Sequence, residues 1–271
     1  MLKNAIILPL LSLCLTGIAS AELILTAPPR ESVDAGAKLY GPIAEMLSNR
    51  LGQKVTYRHP QDWKKYEKNM KQGNYDIIFD GPHFAAWRIE SAQAEPLVKL
   101  PGVLDFSLVV KKTETNIKKT RDLVGKKLCT LPSPNLGAMS LYAMFPNPTR
   151  QPEFVMVRGG MKQIAKKIND GTCIGGIMRR SFFKKKLDAT TRNSLNVMEN
   201  SEALTNQGIT VNRKLPATAK LSLLTALTDD RQSATQPLFD RFASKSRKFI
   251  PANTTDYENQ NLLRENMIFG W

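Results

Sequence analysis

"QDWKKYEKNMKQGNYDIIFDGP", residues 61–82, carries the pattern that decides the fold. Its first half spaces Trp63, Tyr66 and Met70 as one face of a helix, and Gly73 closes that helix. Residues 75–79 follow at once as a short apolar strand, and Asp80-Gly81-Pro82 turns the chain. Upstream, "ELILTAP" (22–28) reads as a strand and residues 28–36 as a polar turn. A helix is expected over residues 38–50 with Gly52 as its stop, then the strand "KVTYRH" (54–59). The order is βαβαβ, the sign of a mainly parallel sheet with helices on its faces. Ligands of such sheets bind beyond the carboxyl ends of the strands, which puts residues 28–32 and 79–83 at one mouth.

The pattern restarts after "VLDFSLVVKK" (103–112), an alternating strand with no helix before it. "TRDLVGKKLCTL" (120–131) gives a short capped turn and a strand, and "NLGAMSLYAMF" (135–145) a helix. "PEFVMV" (152–157) is a strand, "GGMKQIAKKINDG" (159–171) a helix and "TCIGGIM" (172–178) a strand. A further strand, "NQGITVN" (206–212), precedes helices expected over 216–228, 236–244 and 256–267. The chain therefore divides into lobe 1 (22–104 and 204–271) and lobe 2 (105–203), with a ligand cleft between them. In "CTLPSPNLGAMSLY" (129–142) a strand stops at the mouth of a helix, with Ser133 and Asn135 as N-cap candidates. Free N–H groups there suit an anion site, although from these residues alone an ordinary capped connection is the plainer reading.

At the start, Lys3, an apolar run over 5–15 and the small residues Ala19-Ser20-Ala21 read as a signal peptide over 1–21. Cleavage after Ala21 and a secreted, periplasmic protein are expected. Residues 22–271 then hold 38 basic and 24 acidic residues, a net of +14. That balance suits nucleic acid, an anionic surface or a small anion. Runs such as Lys184-Lys185-Lys186 read as solvated faces, and no aromatic interleaving points to nucleic acid. Two histidines, His59 and His83, are too few for a zinc site, so neither metal nor cofactor is expected. Cys129 and Cys173 lie on strands of one parallel pattern, close enough for a disulfide if those strands are neighbours; strand order is open at this point.

"Y-x-P-I-x-x-x-L-x-x-x-L-G" (40–52), "G-x-x-D-I-I-x-x-G-P" (73–82) and "D-Y-E-x-x-x-x-L" (256–263) resemble, in order, the periplasmic phosphate/phosphite/phosphonate-binding proteins. The resemblance implies the two-lobed type II periplasmic-binding fold. It also implies a solute receptor of an ABC importer, with an inner-membrane permease or a sensor protein as partner, working as a monomer and not as an enzyme. In that family a phosphonate head rests on a Ser/Thr-rich loop before a helix. The matching loop here keeps Ser133 and Gly137 but has Asn135 and Leu136 between them. Where aminophosphonate receptors carry acids, Ser181 and Gln207 stand, with Arg179 and Arg180 beside the first. A small anion without an ammonium group is therefore the expected ligand.

Several single residues complete the candidate site. Phe79 aligns with an aromatic wall of the family, and His83 opens a helix where it can donate to an oxyanion or cap. Tyr40 can send its hydroxyl to the cleft, and Arg30 and Ser32 lie in the first strand's exit loop. Asp80 is expected to cap the turn at Gly81-Pro82, and Trp63 and Trp87 to pack in the core. No Ser-His-Asp, Cys-His or paired-carboxylate pattern supports catalysis.

Overall fold

A computed structural model describes residues 21–262 except Asp230, Gln232 and Ser244. The expected signal segment up to Ser20 lies outside the described residues.

The chain begins with β1 (Leu23–Thr26), α1 (Val33–Leu51), β2 (Val55–Tyr57), α2 (Trp63–Lys71), β3 (Ile77–Asp80), α3 (Pro82–Glu90), β4 (Ala94–Lys99) and β5 (Val103–Leu104). It crosses into β6 (Phe106–Lys111), β7 (Lys127–Thr130), α4 (Leu136–Ala143), β8 (Glu153–Met156), α5 (Met161–Asn169), β9 (Gly175–Arg179), α6 (Arg180–Lys185), α7 (Ala189–Asn193) and β10 (Leu195–Asn200). It returns through β11 (Leu204–Thr205) and β12 (Gly208–Asn212) to α8 (Ala217–Thr228), α9 (Gln236–Phe242) and β13 (Ile250–Pro251).

Two main sheets result. The first has the order β13-β4-β12-β3-β1-β2 and the second β10-β6-β9-β7-β8. In each, the βαβαβ strands pair in parallel: β1 with β2 and β3, β7 with β8 and β9. The reversed strand beside them is a crossing strand, β12 in the first sheet and β6 in the second. By direction, four of the six strands and four of the five run one way. The two crossings touch in a short antiparallel ribbon, β5 with β11, which joins the lobes.

Burial follows the period of each strand. Along β6, Leu108 and Val110 face one apolar cluster with Leu128, Leu141 and Ile177. Val109 faces the other with Ile164, Ile168 and Met178, so the second sheet is packed on both sides. Lobe 1 is built the same way around Leu25, Ile43, Leu47, Ile77, Phe79 and Phe239.

Several expectations need correction. The first helix starts at Val33, not residue 38, because the Ser32 hydroxyl accepts the Ala35 N–H and so caps it inside the stretch read as a turn. The long strand over 103–112 is split at Asp105, and its two parts serve the linking ribbon and the second sheet. The strands β4 and β10 carry no clean alternation and escaped the pattern. Of the helix expected over 256–267, the described part is a 3-10 turn, Thr254–Tyr257, and residues 263–267 lie outside the described residues. Asp80 does not cap its turn: it is fully buried and bonds both oxygens to Arg88 at 2.7 and 3.0 Å. The strand-order question resolves as β7 beside β9, and Cys129 is disulfide-bonded to Cys173 with their Cα atoms 5.8 Å apart.

Candidate ligand-binding cleft

The carboxyl ends of β1 and β3 lead into residues 27–32 and the start of α3. Those of β7 and β9 lead into residues 131–135 and α6. These loops meet. His83, the second residue of α3, is buried, and its Nε2 lies 3.1 Å from the Pro134 carbonyl oxygen of lobe 2. A carbonyl only accepts, so this nitrogen carries the proton. Burial depresses the His83 pKa to about 3, against the pull of the Pro134 bond, and the charges of Arg30 and Arg88 act in the same direction as burial. The imidazole is therefore neutral, and its Nδ1 is a buried acceptor without a partner.

Arg30 stands in the exit loop of β1. Its guanidinium carbon is 5.9 Å from the centroid of Phe79 and 5.2 Å from that of Phe242. Its Nε and Nη2 are buried and have no hydrogen-bond partner. Beside it is the Tyr40 hydroxyl, also buried and without a well-formed hydrogen bond. Burial pushes the Tyr40 pKa up to about 12, so the phenol keeps its proton and remains a donor. The neighbouring Glu31 gives one oxygen to Arg241 Nε at 3.0 Å, and its other oxygen is buried and unpartnered.

Across the cleft, the adjacent arginines part ways. Arg180 Nη1 donates to Asp105 at 3.1 Å and is committed there. Arg179, at the end of β9, is part-buried, and burial lowers its pKa; Asp105 opposes the shift and Arg30 adds to it.

The loop over 132–137 is less open than its sequence suggests. Asn135 Oδ1 accepts the Gly137 N–H at 2.9 Å, and the Asn135 carbonyl accepts the Met139 N–H at 3.0 Å. The Ser133 hydroxyl points at the Met139 sulfur, 3.8 Å away. A β-carbon added at Gly137 would come within 3.1 Å of the Phe106 ring, so that ring lies against the first turn of α4. The ordinary-cap reading of this stretch describes its hydrogen bonds.

Of the other candidates, Phe79 is buried and forms the floor under Arg30, with Tyr40 at 6.0 Å and Phe242 at 5.4 Å between ring centroids. Ser181 is exposed on α6. Gln207 is buried beside the linking ribbon, with an unpartnered side-chain oxygen. Ser32 is a helix cap. Trp63 packs against Tyr66 and Phe84. That Arg30 makes no ion pair, although Glu31 is its neighbour in the chain, shows only in three dimensions. Among the described residues no cluster of histidine, cysteine or carboxylate side chains is arranged to hold a metal, and no helix is long and apolar enough to cross a membrane.

Comparisons with known proteins agree with this architecture. A solved structure from Xanthomonas citri, bound to ATP, superposes with a TM-score of 0.72 at 13% identity, over 90% of this chain and 96% of that one. PhnD1 from Prochlorococcus marinus, in complex with methylphosphonate, gives 0.64 at 14% identity over 88% and 95%. At these identities the likeness establishes the fold. In sequence, the chain is similar to the phosphate-import protein PhnD of Mycolicibacterium smegmatis, 29% identical over 115 residues. That match covers 40% of this chain and 36% of the relative's length. The family described as "ABC transporter, phosphonate, periplasmic substrate-binding protein" matches residues 25–257. With that span covering nearly all of the described chain, the protein belongs to this family of periplasmic substrate-binding proteins.

Proposed function

We propose that the protein is a periplasmic receptor that closes two lobes over a small oxyanion of the phosphonate, phosphite or phosphate type and delivers it to an ABC permease. It acts as a monomer, exported by a signal peptide cleaved after Ala21, and catalyses no reaction. The observation that carries this reading is the His83–Pro134 bond. The strand-end loops of the two sheets meet there, so a ligand held beside it is enclosed between the lobes. In this reading Tyr40, Phe79, His83, Arg179 and the loop over 133–137 line the ligand's space, with Ser181 and Gln207 at its margins. Enclosure strips water from an anion and strengthens its remaining hydrogen bonds.

A thermal-shift titration with phosphate, phosphite, methylphosphonate, 2-aminoethylphosphonate, sulfate and acetate tests the reading. A ligand at a hundred times its dissociation constant adds about 2.7 kcal/mol of stability. Stabilisation by one or more phosphorus compounds, and none by acetate, is expected. A melting temperature unmoved by all of the phosphorus compounds would sink the oxyanion assignment. Mass measurement of the mature protein from a periplasmic extract checks the cleavage site.

A further inference from the structure

The geometry points to a pair of arginines, one from each lobe, as the seat of the anion: Arg30 and Arg179 together take a doubly charged phosphorus oxyanion, and the N-terminus of α4 does not. This rests on the oxyanion-receptor reading above and names its seat and ligand class.

The carboxylates that approach the cleft are already engaged. Glu31 is held by Arg241 at 3.0 Å, Asp105 by Arg180 at 3.1 Å and Asp80 by Arg88 at 2.7 Å. Among the described residues, neither Arg30 nor Arg179 has a carboxylate within salt-bridge distance. A guanidinium with buried, unpartnered N–H groups is costly to fold and invites an anion. Arg30 has two such nitrogens, Nε and Nη2. Its faces lie near the rings of Phe79 and Phe242, which orients the planar group. The Tyr40 hydroxyl beside it adds a neutral donor. Arg179 ends β9, whose carboxyl end opens on the same mouth as the exit loop of β1 that carries Arg30; burial disfavours its charge, Asp105 opposes that and Arg30 adds to it, so an anion at this mouth stabilises both guanidinium groups. A planar fork of donors from either side suits the oxygens of a phosphonate or phosphate.

The rival seat has one of its first-turn donors taken by its own chain. The Gly137 N–H is capped by Asn135, and Phe106 lies against the turn. The positive charges of Arg30 and Arg179 also repel an ammonium group. The free oxygen of Glu31 and the Asp105 carboxylate are acidic features nearby, and Arg241 and Arg180 offset their charges.

Calorimetric titration of the purified protein with inorganic phosphate and with methylphosphonate tests the pair. In Arg30→Gln and Arg179→Gln, affinity for the better of the two should fall roughly 10- to 100-fold each, the scale of a charged hydrogen bond. Arg30→Lys should lose less than Arg30→Gln, and the exposed Lys184→Gln should bind as the wild type does. Without ligand, Arg30→Gln should melt at or above the wild-type temperature, because an unpaired buried charge has gone. A structural arginine would instead lower it. Affinity should rise with pH as the ligand takes its second charge, and 2-aminoethylphosphonate should bind at least tenfold more weakly than methylphosphonate. If the wild type binds neither probe, the oxyanion reading fails and the pair falls with it. If the wild type binds and both glutamine variants bind equally well, the reading stands and the pair is overturned. Loss of binding in Ser133→Ala, with the arginine variants unaffected, returns the seat to α4. Equal binding of 2-aminoethylphosphonate overturns the ligand class.

Discussion

Lobe 1 and lobe 2 fasten their elements together by different chemistry. In lobe 1 the tie is ionic. Asp80, at the end of β3, takes two bonds from Arg88 of α3 and one of 2.5 Å from the Tyr66 hydroxyl of α2. Arg88 also reaches the Thr210 hydroxyl of β12 at 2.7 Å. One buried charge pair thus joins two helices and two strands of opposite direction. In lobe 2 the tie is covalent: the Cys129–Cys173 bond links β7 to the chain just before β9. An ionic tie works only while all of its partners are present, whereas a disulfide acts largely by restricting the unfolded chain. Lobe 1 contains a second contrast, between Arg88, which is paired with an acid and has one nitrogen bare, and Arg30, which has two nitrogens bare and no ion-pair partner. The first is tied into the fold and the second is the proposed seat of a ligand.

The largest effect should come from breaking the ionic tie. Asp80→Ala leaves Arg88 and Tyr66 buried without their acceptor, and about 3–5 kcal/mol of stability should be lost in urea unfolding. A triple variant combining Asp80→Leu, Arg88→Met and Tyr66→Phe sharpens the test, since removing every partner together should cost much less. An Asp80→Ala protein within about 1 kcal/mol of the wild type would show that the pair does not hold the lobe.

Cys129→Ser with Cys173→Ser should cost about 2–4 kcal/mol for a loop of 44 residues. Reductant should lower the wild type's unfolding midpoint and leave the double variant's unchanged. Equal sensitivity of both proteins would mean the bond is not formed.

The contact between lobes gives a pH dependence belonging to neither tie. His83 has a folded pKa of about 3, below its unfolded value of about 6.5. Between those values the unfolded chain binds a proton that the folded chain does not, so stability rises with pH there. His83's contribution is complete above pH 6.5 and is lost as pH falls toward 3. At pH 5 the loss should be about 2 kcal/mol, from about 1.4 kcal/mol per unit. Exposed carboxylates such as Asp122 and Asp188, whose pKa values are lowered by backbone N–H bonds, also lose stability in acid. The comparison must therefore be with His83→Gln, which keeps an N–H for Pro134 and should show a flatter acid limb. Identical limbs would place His83 in contact with water.

The smallest effect should come from the surface of lobe 2. Lys127 and Glu153 lie 3.8 Å apart with both side chains more than half exposed. Glu153→Gln should change stability by less than about 0.5 kcal/mol, a shift small enough to be lost in thermal melts at moderate salt.

Much of the fold could be read because its signals are local. Gly52 ends α1 in a left-handed conformation at φ 62°, and the Asp62 carboxylate caps α2 by accepting the Lys65 N–H at 2.7 Å. The alternation in β6 names both of its buried faces before any partner is known. Asp80 misled because a carboxylate before Gly-Pro is usually a turn residue, and the arginine that claims it lies eight positions on, across a helix.

The sequence by itself determined the two βαβαβ units and the presence of loops at the ends of their strands. Each of these depends on periodicity and on caps a few residues apart. The tertiary structure alone decided where β12 enters the first sheet, and which of Arg179 and Arg180 is free. It also decided that the α4 loop bonds to itself and that Arg30 is left without an acid. Those outcomes turn on partners far apart in the chain, such as Glu31 with Arg241, separated by 210 positions, and Asp105 with Arg180, separated by 75. A charge is compensated by its neighbours in space, and no local pattern states who they are.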